Sequence, residues 1–121
     1  MHASEPRSAK SRLNTDREEA LRQIAGLARE FDAIVTSTRE GSAGSDDEHD
    51  PEGATVAFER QHVAALLARE REHLAAIERS LQRIESDMYG ICDICGEPIG
   101  AERLAARPAA LICLRCAAKR R

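Results

Sequence analysis

Cys92-Asp93-Ile94-Cys95-Gly96 and Cys113-Leu114-Arg115-Cys116 hold every cysteine of the chain. Each pair has two residues between its cysteines, and seventeen residues separate the pairs. C-x2-C spacing lets both thiolates of a pair reach one ion from a tight turn. Two such pairs at this separation supply the ligands of a four-thiolate zinc site, Cys92, Cys95, Cys113 and Cys116. Gly96 suits the turn, because glycine alone adopts the required backbone without steric cost. An all-cysteine tetrahedron leaves no open position, so the metal reads as structural rather than catalytic. Two disulfides or a dithiol redox pair are the other uses of four cysteines. The first is not expected, because the sequence does not read as a secreted chain with a leader or as a loop-rich disulfide framework. The second usually appears as one C-x-x-C beside a βαβ pattern. A zinc site that loosens on thiol oxidation stays open as a variant.

Around this stretch the composition is poor in large side chains. Among 121 residues there are one Tyr, two Phe and no Trp, and 32% of the chain is charged. A broad globular core is excluded. Ala, Leu, Glu and Arg dominate, which suits long helices or a coiled coil, and a thin core of that kind gains from a metal staple. The net charge of −3 gives no global case for nucleic-acid binding. Charge is nevertheless uneven. Residues 101–121 carry Arg103, Arg107, Arg115, Lys119, Arg120 and Arg121 against Glu102, whereas residues 45–52 carry Asp46, Asp47, Glu48, Asp50 and Glu52 and no Lys or Arg. No apolar run approaches the ~20 residues that span a bilayer. A cytoplasmic protein is expected, where thiols stay reduced and free to hold metal.

Working back from the cysteines, Tyr89-Gly90 ends a long helix, with Gly90 expected at the left-handed C-terminal cap. That helix starts near Pro51, with Asp50 as its N-cap and Glu52 at the positive end of its dipole. Val56, Val63, Leu67, Leu74, Ile77, Leu81, Ile84 and Met88 form a heptad seam in which Glu70 is the polar member. A run to Asp87 or Met88 measures roughly 50–55 Å. An earlier helix is predicted from the capping box Thr15-Asp16-Arg17-Glu18 to about Thr38. Its apolar face is Leu21, Ile24, Leu27 or Ala28, Phe31 and Ile34 or Val35, over roughly 35 Å. Residues 1–13 are expected to be a disordered tail. Residues 41–53, with three glycines, two serines and a proline, form the acidic connecting loop.

The expected fold is therefore mainly α: a tail over 1–13, an antiparallel helical hairpin over 14–90 with its tip loop at about 41–53, and a four-cysteine finger over 91–121. Within the finger, Pro98 and Gly100 mark turns, Arg103-Leu104 a short strand or turn, and Cys116-Ala117-Ala118-Lys119-Arg120 a short terminal helix. Dimerisation through the longer helix is the rival to a monomeric hairpin, and Glu70 in the seam weighs against a tight parallel dimer.

No catalytic constellation is present, so an enzyme is not expected. His2, His49, His62 and His73 are scattered, and the last two stand about three turns apart, too far to share an ion. There is no phosphate-binding glycine loop. The chemical feature that remains is the acidic loop. It reads either as a solvated turn or as a carboxylate-bearing tip able to reach a basic groove or the hydration shell of a bound Mg²⁺.

Tyr89-Gly90-Ile91-Cys92-Asp93-Ile94-Cys95-Gly96-Glu97-Pro98-Ile99, then Arg103-Leu104-Ala105-Ala106-Arg107-Pro108, then Cys113-Leu114-Arg115-Cys116 resemble the DksA/TraR family zinc finger. The order helix, acidic loop, helix, finger extends the resemblance to most of the chain. It implies a transcription regulator that binds bacterial RNA polymerase directly, inserting its coiled coil into the secondary channel so that the acidic tip nears the catalytic centre. It implies no membrane association and no need for DNA contact, and, for some members, joint action with the alarmone ppGpp. The resemblance makes Asp46, Asp47, Asp50 and Glu52 the candidate partner-binding tip. Against the family pattern D-x-x-D-x-A, Asp47 and Asp50 match the aspartates and Glu52 stands at the alanine, whereas aligning on Asp50-Pro51 puts Gly53 at the second aspartate. Two other readings are a nucleic-acid-binding zinc module using the basic C-terminal end, and a thiol- or zinc-responsive redox switch.

Overall fold

The computed structural model describes residues 6–42 and 51–120. It contains four helices, α1 (Pro6–Ser42), α2 (Pro51–Glu85), α3 (Ala101–Ala106) and α4 (Leu114–Lys119). Strand structure among the described residues is limited to one isolated antiparallel bridge between Ile91 and Pro98. The expected mainly helical class, with two long helices paired in a hairpin-like way before a cysteine-bearing module, is the class observed.

The chain divides into two units. One joins the residues up to Ala20 with those from Glu72 onward, and the other is Leu21–Arg71. In the first, Ala9, Leu13 and Ala20 of α1 are buried together with Ile77 of α2, and Leu74, Leu81 and Ile84 pack against them. These α2 residues are members of the predicted seam. Lys10 pairs with Glu85, and Arg17 pairs with Glu78, each at 3.3 Å. A step of seven forward on α1 is thus matched by a step of seven backward on α2, the signature of antiparallel heptad packing.

This packing moves the start of the first helix. α1 begins at Pro6 rather than at the Thr15 capping box, so Ala9 and Leu13 belong to a helix and not to a disordered segment. Pro6 fits the first helical turn, where its missing N–H goes unused. The local capping signal loses because burying Leu13, which retains no exposed surface, stabilises by about 2 kcal/mol. Small residues carry the stripe on this part of α1, which is why Ala20 is buried while the expected Leu21 is 40% exposed.

In the second unit, Val63 and Leu67 of α2 are buried, and Ile24, Leu27, Ala28, Phe31, Ile34 and Val35 of α1 are half-buried. Apart from the exposed Leu21, the predicted apolar positions of both helices are therefore the covered ones here. Helix extends to Ser42 and resumes at Pro51, so the connecting segment is shorter than the 41–53 expected.

α2 stops at Glu85, and its cap is Asp87, not Gly90. Asp87 has φ 60. Met88 N–H donates to Arg83 O at 2.8 Å and Asp87 N–H to Ile84 O at 3.3 Å, the paired bonds of a Schellman motif. Gly90, at φ 89, forms the next turn, where a Cβ would meet Leu104 Cδ1 at 3.4 Å. Met88, the last residue of the expected seam, lies beyond the cap and is 47% exposed.

Candidate metal centre

The first cysteine pair sits on a turn closed by backbone bonds. Cys92 N–H donates to Glu97 O at 2.8 Å, Gly96 N–H to Cys92 O at 3.1 Å, and Ile99 N–H to Gly90 O at 2.8 Å. Gly96 takes φ 77, the conformation that its position after Cys95 requires. The second pair is built on a helix start. Cys113 is the N-cap of α4, and Cys116 lies in its first turn. Asp93 N–H donates to Leu111 O at 2.8 Å and so ties the two turns together. The segment expected as a strand or turn at Arg103-Leu104 is α3. Its Leu104 is buried in a small core with Ile99, Ala110 and the cysteines Cys92, Cys113 and Cys116.

The four sulfurs all lie within 4.8 Å of one another, and Cys95 and Cys113 Sγ are 3.8 Å apart. A tetrahedron with Zn–S of about 2.3 Å has S···S edges of about 3.8 Å. The four cysteines are unpaired, with no disulfide among them in this structure. Backbone N–H groups point at the sulfurs: Ile94 N–H to Cys92 at 3.4 Å, Cys113 N–H to Cys92 at 3.3 Å, and Cys116 N–H to Cys113 at 3.5 Å. Such donors stabilise thiolate over thiol. The donor set, spacing and N–H pattern fit one structural zinc.

The thiols respond to this environment. Burial acts to raise Cys92, but the N–H groups of Cys95, Cys113 and Ile94 outweigh it and bring the group down to about 6. The N–H of Cys116 is the main reason that Cys113 is lowered. Cys116 is pushed up to about 12, by burial first and then by the neighbouring thiols. Bound zinc removes that difference, since the metal takes all four as thiolates.

The centre is fastened to the helices by polar contacts that the cysteine spacing does not reveal. Asp93, between the first two cysteines, receives Arg79 Nε at 3.0 Å and Arg79 Nη2 at 3.4 Å, and it also accepts from Arg83 Nη1. Arg83 further donates to Met88 O at 3.2 Å and Ile91 O at 3.0 Å. Asp93 in turn holds the guanidinium of Arg79 above its ordinary pKa. Tyr89 Oη donates to Pro108 O at 2.8 Å, while its ring and Ala109 pack on the apolar cluster of α1 and α2. The visible signal in sequence is a pair of arginines four apart on the last turns of α2, placed to share one partner.

Of the expected tip residues, Asp46, Asp47 and Asp50 lie outside the described residues, and Glu52 is in the first turn of α2. His62 and His73 are exposed on α2, and His2 and His49 are outside the described residues. No helix among the described residues is long and apolar enough to cross a membrane.

Residues 88–121 match the family described as the prokaryotic dksA/traR C4-type zinc finger. Over 40 residues the chain is 50% identical to the RNA polymerase-binding transcription factor DksA of Haemophilus influenzae, covering 33% of this chain and 28% of that protein. Over 70 residues it is 46% identical to the uncharacterized protein YteA of Bacillus subtilis, covering 58% of this chain and 29% of that one. The matched stretches thus span less than a third of these curated relatives. Among solved structures, transcription factor DksA2 from Pseudomonas aeruginosa aligns with a TM-score of 0.52 and 28% identity, covering 99% of this chain and 89% of that one.

Proposed function

Because residues 88–121 are a DksA/TraR C4-type zinc finger, we propose that this chain is a DksA-type transcription regulator that binds bacterial RNA polymerase directly. The observation that carries the reading is the likeness to DksA2, which runs through both long helices as well as the finger. The name of the Haemophilus relative supplies the partner.

In this reading the protein acts by binding and not by catalysis, as a monomer in the cytoplasm. The paired helices enter the polymerase secondary channel, and the carboxylates of Asp46, Asp47, Asp50 and Glu52 act near the catalytic centre. There, negative charge can engage basic side chains or the water around Mg²⁺. Zinc holds the finger folded and takes no part in chemistry.

The test is a pull-down of RNA polymerase, followed by crosslinking from a photoreactive residue at position 50. Crosslinks to the polymerase active-site region are expected. The double variant Asp47→Ala/Asp50→Ala should keep its zinc and helicity and its binding to polymerase, yet lose its effect on transcription. Normal regulation by that variant overturns the tip mechanism, and failure to retain polymerase overturns the partner. Adding ppGpp to the same transcription assay measures whether the alarmone acts jointly.

A further inference from the structure

We infer that Arg115 is a positioning residue for the metal: its guanidinium balances thiolate charge at Cys95 and thereby sets how readily this ligand lets go. Three of the ligands, Cys92, Cys113 and Cys116, are buried, and Cys95 is exposed. Cys92 and Cys113 accept backbone N–H groups, as described above. Cys95 instead receives a side chain, with Arg115 Nη2 at 4.0 Å from its Sγ.

Four thiolates around a divalent ion leave a net charge of about −2. At the sulfurs of Cys92 and Cys113 the fixed N–H dipoles offset it. At Cys95, water competes with any single dipole, and a full positive charge is the more effective counterweight. Arg115 is well placed for this, because it lies on α4 immediately before the ligand Cys116. Its backbone is therefore anchored by the metal it serves. A planar fork suits the role better than the point charge of lysine.

The inference is independent of polymerase binding, and its test uses the zinc-loaded full chain. Zinc transfer to 4-(2-pyridylazo)resorcinol is followed by absorbance for wild type, Arg115→Ala, Arg115→Lys and Arg115→Glu, with Leu114→Ala as a control. Leu114 is the 66% exposed neighbour. Arg115→Ala should release zinc about three- to tenfold faster, below or at the low end of what loss of a metal ligand's outer partner usually costs, because the contact is exposed. Arg115→Lys should fall between it and wild type, and Arg115→Glu should be fastest. Added salt should bring the wild-type rate toward that of Arg115→Ala. Alkylation by iodoacetamide with mass mapping supplies a second readout. Arg115→Ala should speed modification at Cys95 selectively. Wild-type release rates in both Arg115→Ala and Arg115→Glu overturn the inference. So does equal acceleration in Leu114→Ala, or equal acceleration of alkylation at all four cysteines, which would signal general loosening.

Discussion

Ser80 keeps no exposed surface, and its hydroxyl has no hydrogen-bond partner. A buried hydroxyl in that position costs about 1–3 kcal/mol of lost hydration, so Ser80→Ala should stabilise the zinc-loaded protein by about 1 kcal/mol in urea denaturation. The thiols lead to a second prediction. Cys116, pushed up to about 12 in the metal-free centre, holds its proton at neutral pH and must lose it when zinc binds. Binding therefore releases protons, and affinity must fall as pH falls. Zinc competition between pH 8 and pH 6, on the order of two units about neutrality, should show progressive weakening. Calorimetry in buffers of different ionisation enthalpy should register the released protons. The clustering of the four cysteines was legible from spacing alone. Their unequal thiols were not, because inequality comes from which backbone N–H groups face each sulfur.

At the scale of elements, the heptad seam of α2 was readable because large apolar residues recur at its positions, and Ile77 retains no exposed surface. The N-terminal part of α1 was not readable. Its buried positions are Ala9, Leu13 and Ala20, and two alanines in three give little periodic contrast against the capping signal at Thr15. The end of α2 was misassigned for a related reason. Glycine is the usual left-handed cap, and Asp87 takes the position three residues before the nearest glycine. Asp87→Gly should stabilise by about 0.5 kcal/mol, as relief of the left-handed cost exceeds the entropy lost, whereas Asp87→Val should destabilise. Thermal unfolding of the two variants checks the order. The joint between α2 and the finger rests on Arg83, whose side chain is 13% exposed against 23% for Asp93. Arg83→Ala leaves Asp93 to Arg79, strips Ile91 O of its donor and leaves Met88 O with the Ile91 N–H alone, so it should cost about 2 kcal/mol by chemical denaturation. Its longest link, from Arg79 to Asp93, spans fourteen residues and has no sequence period that could announce it.

For the molecule as a whole, the metal centre and the paired ends of α1 and α2 have separate apolar clusters, and Tyr89 packs against both. Ala109 and Tyr89 belong to the finger segment yet cover the cluster around Leu13 and Ile77, so chelating zinc should cost helicity at the paired ends of α1 and α2 as well as fold in the finger. Tyr89 makes this visible. The chain has a single tyrosine and no tryptophan. The phenol is raised above its ordinary pKa by burial, with Arg12 pulling it the other way. Opening the finger wets the ring and frees it from Pro108, so chelation should lower its ionisation midpoint toward the ordinary value of about 10. Ultraviolet absorbance during an alkaline titration, with and without chelator, measures the difference, and an unchanged midpoint would mean that the two regions are uncoupled. The protein thus carries its own optical gauge: one chromophore, at the seam between metal and coil, whose colour in base reports whether the clasp is shut.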